Sequence, residues 1–106
     1  MVCVELLYFD GCPSWKEGLE NLKKALEAEG MDAQNIRLVQ VLDNEQAQRE
    51  RFLGSPSFRV NGRDLWEEER QQYRLSCRVY PTPHGLKGAP SVEMLREKLR
   101  ALGTAP

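Results

Sequence analysis

The sequence has no long apolar run, no strong net charge and few cysteines. No segment approaches the roughly 20 consecutive apolar residues that a membrane-spanning helix needs, so we expect no membrane partner. The 15 basic and 16 acidic residues leave a formal net charge of −1. Without an overall positive field, we expect no nucleic-acid partner. The 106 residues, 41% hydrophobic and 29% charged, are typical of one globular domain, which we predict over residues 1–106.

The cysteine content excludes the disulfide-rich class of small secreted proteins. Three cysteines are an odd number and too few for such a framework. The first nine residues carry Glu5 and lack both a basic segment and a small-residue cleavage site, so we expect no signal peptide. We therefore expect a cytoplasmic protein, in which a cysteine is a buried apolar residue, a catalytic thiol or a metal ligand.

Hydrophobic periodicity predicts an α/β chain with the order β-α-β-α-β-β-α. Residues 2–9 are apolar, β-branched and aromatic, which indicates a buried strand. Pro13 then opens an amphipathic helix that ends at Gly30. The later elements are a strand over 36–42, a helix from the capping box Asp43–Gln46 to Phe52, a strand over 58–60, an Asn61–Gly62 turn, a strand over 63–66 and a helix capped by Ser91. Residues 67–89 are predicted to be irregular, with one β-like patch over 75–80.

The motifs along this order resemble those of the thioredoxin and glutaredoxin superfamily, roughly over residues 2–65 and the last helix. They are Cys12-Pro13-Ser14-Trp15 after the first strand, Ser55-Pro56 before the third, and the Val60-Asn61-Gly62 turn. The resemblance implies a mixed four-stranded sheet flanked by helices. It also implies a cysteine that opens the first helix and a cis-proline facing it, here Cys12 and Pro56. Many members carry C-x-x-C, whereas Trp15 stands in place of the second cysteine.

Cys12 is the candidate nucleophile, because a thiol reacts as its thiolate and the start of a helix favours negative charge. We predict that Cys12 occupies the N-cap position. Lys16, four residues later, would add positive charge on the same helical face, whereas Asp10 would oppose it. The alternative is an inert, half-buried cysteine.

Cys77 is the candidate second thiol. The chain should leave the returning strand at the Cys12 end of the sheet, and long segments in such places are often functional. Arg74 and Arg78 flank Cys77 and would lower its pKa. Alternatively, residues 75–80 form the fourth strand and Cys77 packs inward.

Cys3 is predicted to be a small buried apolar residue rather than a partner of Cys12. A continuous strand would separate the two cysteines by about 30 Å. A disulfide requires Cα atoms within roughly 7 Å.

The remaining candidates are expected to bind substrate. Ser55 and Pro56 would offer backbone groups to an extended chain, as in strand addition. Pro13, Trp15 and Lys16 would lie beside the nucleophile, and a core-edge role for Trp15 remains open.

Metal and cofactor sites are not expected. His84, the single histidine, is expected to be solvated. No C-x-x-C or H-x-x-x-H spacing supports a closed zinc site, and the sequence indicates no cofactor.

Three functions follow as alternatives. In the first, Cys12 exchanges with a thiol or disulfide substrate, and Cys77 or an external thiol resolves the mixed disulfide. In the second, the thiolates bind a soft ion such as mercury, copper(I) or arsenite. In the third, the chain is a thioredoxin-fold adaptor without a reactive thiol.

Overall fold

A four-stranded mixed sheet with the strand order β2-β1-β3-β4 forms the centre of the fold. The structure is a computed structural model and describes residues 3–103. The elements are β1 (Val4–Tyr8), α1 (Trp15–Ala28), β2 (Arg37–Gln40), α2 (Asn44–Glu50), β3 (Ser57–Val60), β4 (Arg63–Asp64), β5 (Tyr80–Thr82), β6 (Gly85–Lys87) and α3 (Val92–Gly103). β1 pairs parallel with β2 and antiparallel with β3, and β3 pairs antiparallel with β4. The predicted mixed α/β class with a four-stranded sheet is confirmed.

The sheet is covered on both faces because successive side chains of β1 point in opposite directions. Leu6 is fully buried in a cluster that includes residues of α1 and α3. Leu7 is buried on the other face with Val41, Ala47 of α2 and Phe52. The central strand is therefore apolar at consecutive positions, as the sequence predicts for a buried strand.

The turn and capping residues adopt the conformations that the sequence indicates. Asp43 accepts a hydrogen bond from the backbone N–H of Gln46 at 2.8 Å and so caps α2. Asn61 and Gly62 have φ angles of +53° and +84°, which the tight β3–β4 turn requires. Ser91 accepts a backbone N–H at the start of α3.

The segment between β4 and α3 is more ordered than predicted. Residues 80–87 form a two-stranded hairpin, β5–β6, which the sequence analysis assigned to an irregular stretch. Residues 75–80 do not form the fourth strand of the main sheet, which is β4. Cys77 instead forms an isolated parallel bridge with Ser55.

Cys3 differs from the expectation of a buried residue. It precedes β1 and is exposed, and its backbone N–H donates to the Asn61 side chain. The strand begins later than predicted, so Cys3 lies outside the core.

No helix within residues 3–103 is long and apolar enough to cross a bilayer.

Candidate functional site

Cys12 lies in the loop between β1 and α1 and is 3% exposed. Its Sγ donates a hydrogen bond to the backbone carbonyl of Ser55 at 3.3 Å. The helix begins later than predicted: its N-cap is Ser14, so Cys12 and Pro13 both precede the cap. The expectation that Cys12 occupies the N-cap is therefore wrong, although it lies within one turn of the helix start.

The Ser55–Pro56 peptide bond is cis, as the resemblance implies, and Cys12 contacts it. The Ser55 N–H donates to the carbonyl of Ser76 at 2.8 Å, and the Ser55 carbonyl accepts the Arg78 N–H at 3.0 Å. The Pro56 carbonyl accepts the hydroxyl of Tyr80. The backbone groups that we expected to be available to an extended substrate are thus occupied by the chain itself. That expectation for Ser55 and Pro56 is wrong in this conformation.

The isolated parallel bridge between Cys77 and Ser55 places Cys77 near Cys12. Cys77 stands opposite Ser55 and its side chain is exposed. The pKa of the Cys77 thiol is raised, first by partial burial and then by the neighbouring Cys12 side chain. The expectation that Arg74 and Arg78 lower this pKa is wrong. Both guanidinium groups are engaged elsewhere, with Gln72 and Asp64 respectively.

Arg78 holds the segment that carries Cys77 against the sheet. Its guanidinium donates to the carboxylate of Asp64 at 2.9 Å, and the two side chains are only 6% and 8% exposed. It also donates to the Ser57 hydroxyl at 3.2 Å and to the Trp66 carbonyl at 2.6 Å. Separating a buried ion pair is costly, because it leaves a charge without a partner. These contacts therefore hold Arg78, and with it the neighbouring Cys77, in position.

Gly54 permits this close approach. A Cβ atom there would lie 2.9 Å from the Cβ of Arg78, and its φ of +114° is a conformation that other residues rarely adopt.

Trp15 contacts both Tyr8 and Lys16. The Trp15 ring stacks on Tyr8 with centroids 4.0 Å apart, and it packs against the core cluster. The Lys16 ammonium lies 5.7 Å from the centroid of the Trp15 ring. Within residues 3–103, no hydrogen bond joins Lys16 to Cys12. The side chains that the structure brings together are therefore those of Cys12 and Cys77, beside Ser55 and Pro56.

Within residues 3–103, no group of three or more histidine, cysteine, aspartate or glutamate side chains is placed to hold a metal ion. His84 lies in the exposed turn between β5 and β6, where its backbone N–H donates to Thr82.

The sequence analysis missed the anchoring residues Asp64, Arg78 and Tyr80. Two signals pointed toward them. Gly54 directly precedes Ser55, which is typical of a close backbone approach. The order Thr82-Pro83-His84-Gly85 is rich in turn residues and indicates a hairpin.

A comparison of the chain with protein-family models, curated proteins and solved structures found no significant match.

Proposed function

We propose that the chain is a thiol–disulfide oxidoreductase of the thioredoxin and glutaredoxin superfamily, and that Cys12 and Cys77 are its redox pair. Three features support the family assignment. Cys12 follows the first strand, a cis Ser55–Pro56 bond lies against it, and the main elements follow the expected order.

The observation that carries the proposal is that both cysteines lie against the same residue, Ser55, although they are far apart in the chain. The Cys12 Sγ donates to the Ser55 carbonyl at 3.3 Å, and Cys77 pairs with Ser55 in the isolated parallel bridge. Trp15 removes the nearby second thiol of a C-x-x-C motif, and Cys77 supplies one from another segment. Two adjacent thiols convert to a disulfide when they lose two electrons and two protons to a disulfide substrate, which leaves as two thiols.

Cys12 and Cys77 are both positioned by Ser55. Backbone hydrogen bonds to Ser55 and the buried Arg78–Asp64 pair hold the Cys77 segment, and the Cys12 Sγ donates to the Ser55 carbonyl. A pair that is already positioned closes an internal disulfide faster than it captures a second external thiol. This placement supports Cys77, rather than an external thiol, as the second thiol of the pair.

The experiment is a turnover assay with glutathione as reductant and 2-hydroxyethyl disulfide as substrate. Cys12→Ser and Cys77→Ser should each lower the exchange rate about tenfold or more, because either change removes the internal disulfide. Cys3→Ser is the matched control, since Cys3 is an exposed cysteine away from the pair, and it should retain the rate. Equal rates for all four proteins would contradict the proposal, and inactivity of the unsubstituted chain would favour the adaptor function.

A second candidate function is the binding of a soft ion by the two thiolates. The placement of both cysteines against Ser55 favours it, because Cu(I) and related ions prefer thiolate ligands. Equilibrium dialysis with Cu(I) or Hg(II) should then show one ion per chain, with the ion lost in both Cys12→Ser and Cys77→Ser. Binding without any disulfide exchange would select this function over the first.

A further inference from the structure

We infer that Cys77, and not Cys12, is the thiol that a substrate meets first, and that this substrate is a small disulfide rather than an extended polypeptide. The inference rests on the proposed Cys12–Cys77 redox pair and names its substrate class and its order of reaction. This order is the reverse of the one expected from the sequence, in which Cys12 attacks the substrate and Cys77 resolves the mixed disulfide.

The two cysteines differ in how accessible they are to a substrate. Thiol–disulfide exchange requires the attacking sulfur to lie in line with the S–S bond that breaks. Cys12 is 3% exposed, and its S–H points to the carbonyl of Ser55. Cys77 is exposed. A disulfide arriving from solvent therefore reaches the sulfur of Cys77 before that of Cys12.

The backbone groups at Ser55 and Pro56 already have partners within the chain. An extended polypeptide is held beside a sheet by hydrogen bonds to free N–H and C=O groups. Here the N–H and the carbonyl of Ser55 both bond to residues 76–78, and the Pro56 carbonyl bonds to Tyr80. Proline has no N–H. The chain's own segment thus takes the place of a polypeptide partner.

Buried contacts hold residues 76–78 in place. Displacing residues 76–78 would separate Arg78 from Asp64, which would leave two buried charges without partners. It would also remove the Tyr80 hydroxyl from its acceptor at Pro56. A substrate that needs no backbone pairing avoids both costs, and a small disulfide is such a substrate.

Oxidation of the Cys12–Cys77 pair takes two thiol–disulfide exchange steps. The Cys77 thiolate attacks one sulfur of RS–SR, so that the S–S bond breaks, a Cys77–SR bond forms, and RS⁻ leaves and takes up a proton. The Cys12 thiolate then attacks the Cys77 sulfur, forms the Cys12–Cys77 disulfide and releases the second RS⁻, which is also protonated. The two protein thiols are oxidised by two electrons, and RS–SR is reduced to two RSH.

The test compares two single-thiol proteins made on the Cys3→Ser background. Cys12→Ser leaves Cys77 alone, and Cys77→Ser leaves Cys12 alone. With oxidised glutathione at neutral pH, the Cys77 protein should form its mixed disulfide about tenfold faster or more, measured by intact mass, because its sulfur is accessible. Equal or faster reaction of the Cys12 protein would overturn the order of reaction.

A second measurement uses the unsubstituted chain and therefore does not depend on how a variant folds. Samples quenched with acid at early times should carry glutathione on Cys77 before the internal disulfide accumulates. Glutathione found first on Cys12 would overturn the inference, even if the internal disulfide then forms and the proposed function stands. If no internal disulfide forms at any time, the proposed redox pair itself fails.

The substrate class is tested with the same chain and a disulfide-linked dimer of a short unstructured peptide. Oxidised glutathione should oxidise the Cys12–Cys77 pair about tenfold faster than the peptide disulfide does, because no free backbone groups retain the peptide. A peptide disulfide that reacts as fast as oxidised glutathione would overturn the assignment of a small substrate.

Discussion

The two cysteines of the site differ in exposure, and Cys77 differs from an ordinary thiol in its affinity for a proton. Partial burial and the neighbouring Cys12 both disfavour the Cys77 thiolate, so the pKa of Cys77 lies above the usual value for a thiol. At neutral pH, a smaller fraction of Cys77 is therefore ionised than of an unperturbed thiol. Cys77 remains the more accessible thiol, because it is exposed whereas Cys12 is 3% exposed, and its reaction should become faster as the pH rises toward the pKa of its thiol.

This interaction predicts the effect of Cys12→Ala on Cys77. Burial is the larger cause of the raised pKa of Cys77, and the substitution removes the other cause, the neighbouring Cys12 thiol, so the pKa should fall toward the ordinary value. The midpoint of the alkylation rate against pH should move to lower pH, and alkylation at neutral pH should become faster. The measurement uses iodoacetamide on the Cys3→Ser background, with and without Cys12→Ala. An unchanged or higher midpoint would contradict the contact between the thiols.

At the level of elements, β4 and the bridge segment are joined by the ion pair between Asp64 and Arg78. Asp64→Asn keeps the size of the side chain but leaves the buried guanidinium without a charged partner. We expect the free energy of unfolding to fall by about 3 kcal/mol or more. Denaturation by urea, followed by circular dichroism, measures this change.

An exposed ion pair that begins on the same strand supplies the matched control. Arg63 and Glu67 also form an ion pair, but their side chains are 78% and 56% exposed. Glu67→Gln should therefore lower the free energy of unfolding by less than about 1 kcal/mol. If Asp64→Asn cost no more than Glu67→Gln, the Arg78 anchor would not hold the site as we describe.

Helix α1 meets the cis-proline at Gly18. A Cβ atom at this position would lie 2.9 Å from Cγ of Pro56 and 3.2 Å from Cζ of Phe58, both buried. Gly18→Ala should lower the free energy of unfolding by about 1 kcal/mol, because overpacking outweighs the gain in helix propensity. Lys24→Ala, on the exposed side of α1, is the control and should change it by about 0.5 kcal/mol or less. A stabilised Gly18→Ala protein would contradict the close packing.

The elements that the sequence predicted are those whose pattern is local. Periodicity and turn residues located β1, α1, the Asp43 cap and the Asn61–Gly62 turn within a few residues. The bridge between Cys77 and Ser55 is a single pairing between distant segments, so no local pattern reveals it. The same limit explains the wrong expectation for Arg78. Its position beside Cys77 suggested a free positive charge, but its partner Asp64 lies on another element.

At the level of the whole molecule, the bridge places two cysteines that are about 65 residues apart in the sequence against the same residue, Ser55. A disulfide between them would close most of the chain into a loop and restrict the unfolded state. Oxidation should therefore raise the free energy of unfolding by about 3–4 kcal/mol. Differential scanning calorimetry should show a Tm higher by roughly 10–25 °C in the oxidised protein.

The control for this stabilisation is Cys77→Ser after the same oxidant treatment. It should show no increase in Tm, because its remaining thiols, Cys3 and Cys12, are not joined. A similar increase in Tm for Cys77→Ser would contradict the assignment of the stabilisation to the Cys12–Cys77 bond.

Peptide mapping of the oxidised protein tests the central claim most directly. The unsubstituted chain is treated with excess oxidised glutathione, quenched with acid, digested without reduction and analysed by mass spectrometry. The account predicts a linked pair of peptides that contain Cys12 and Cys77, with a loss of two hydrogens, and no link to Cys3. Separate glutathione adducts on Cys12 and Cys77, with no link between them, would contradict it.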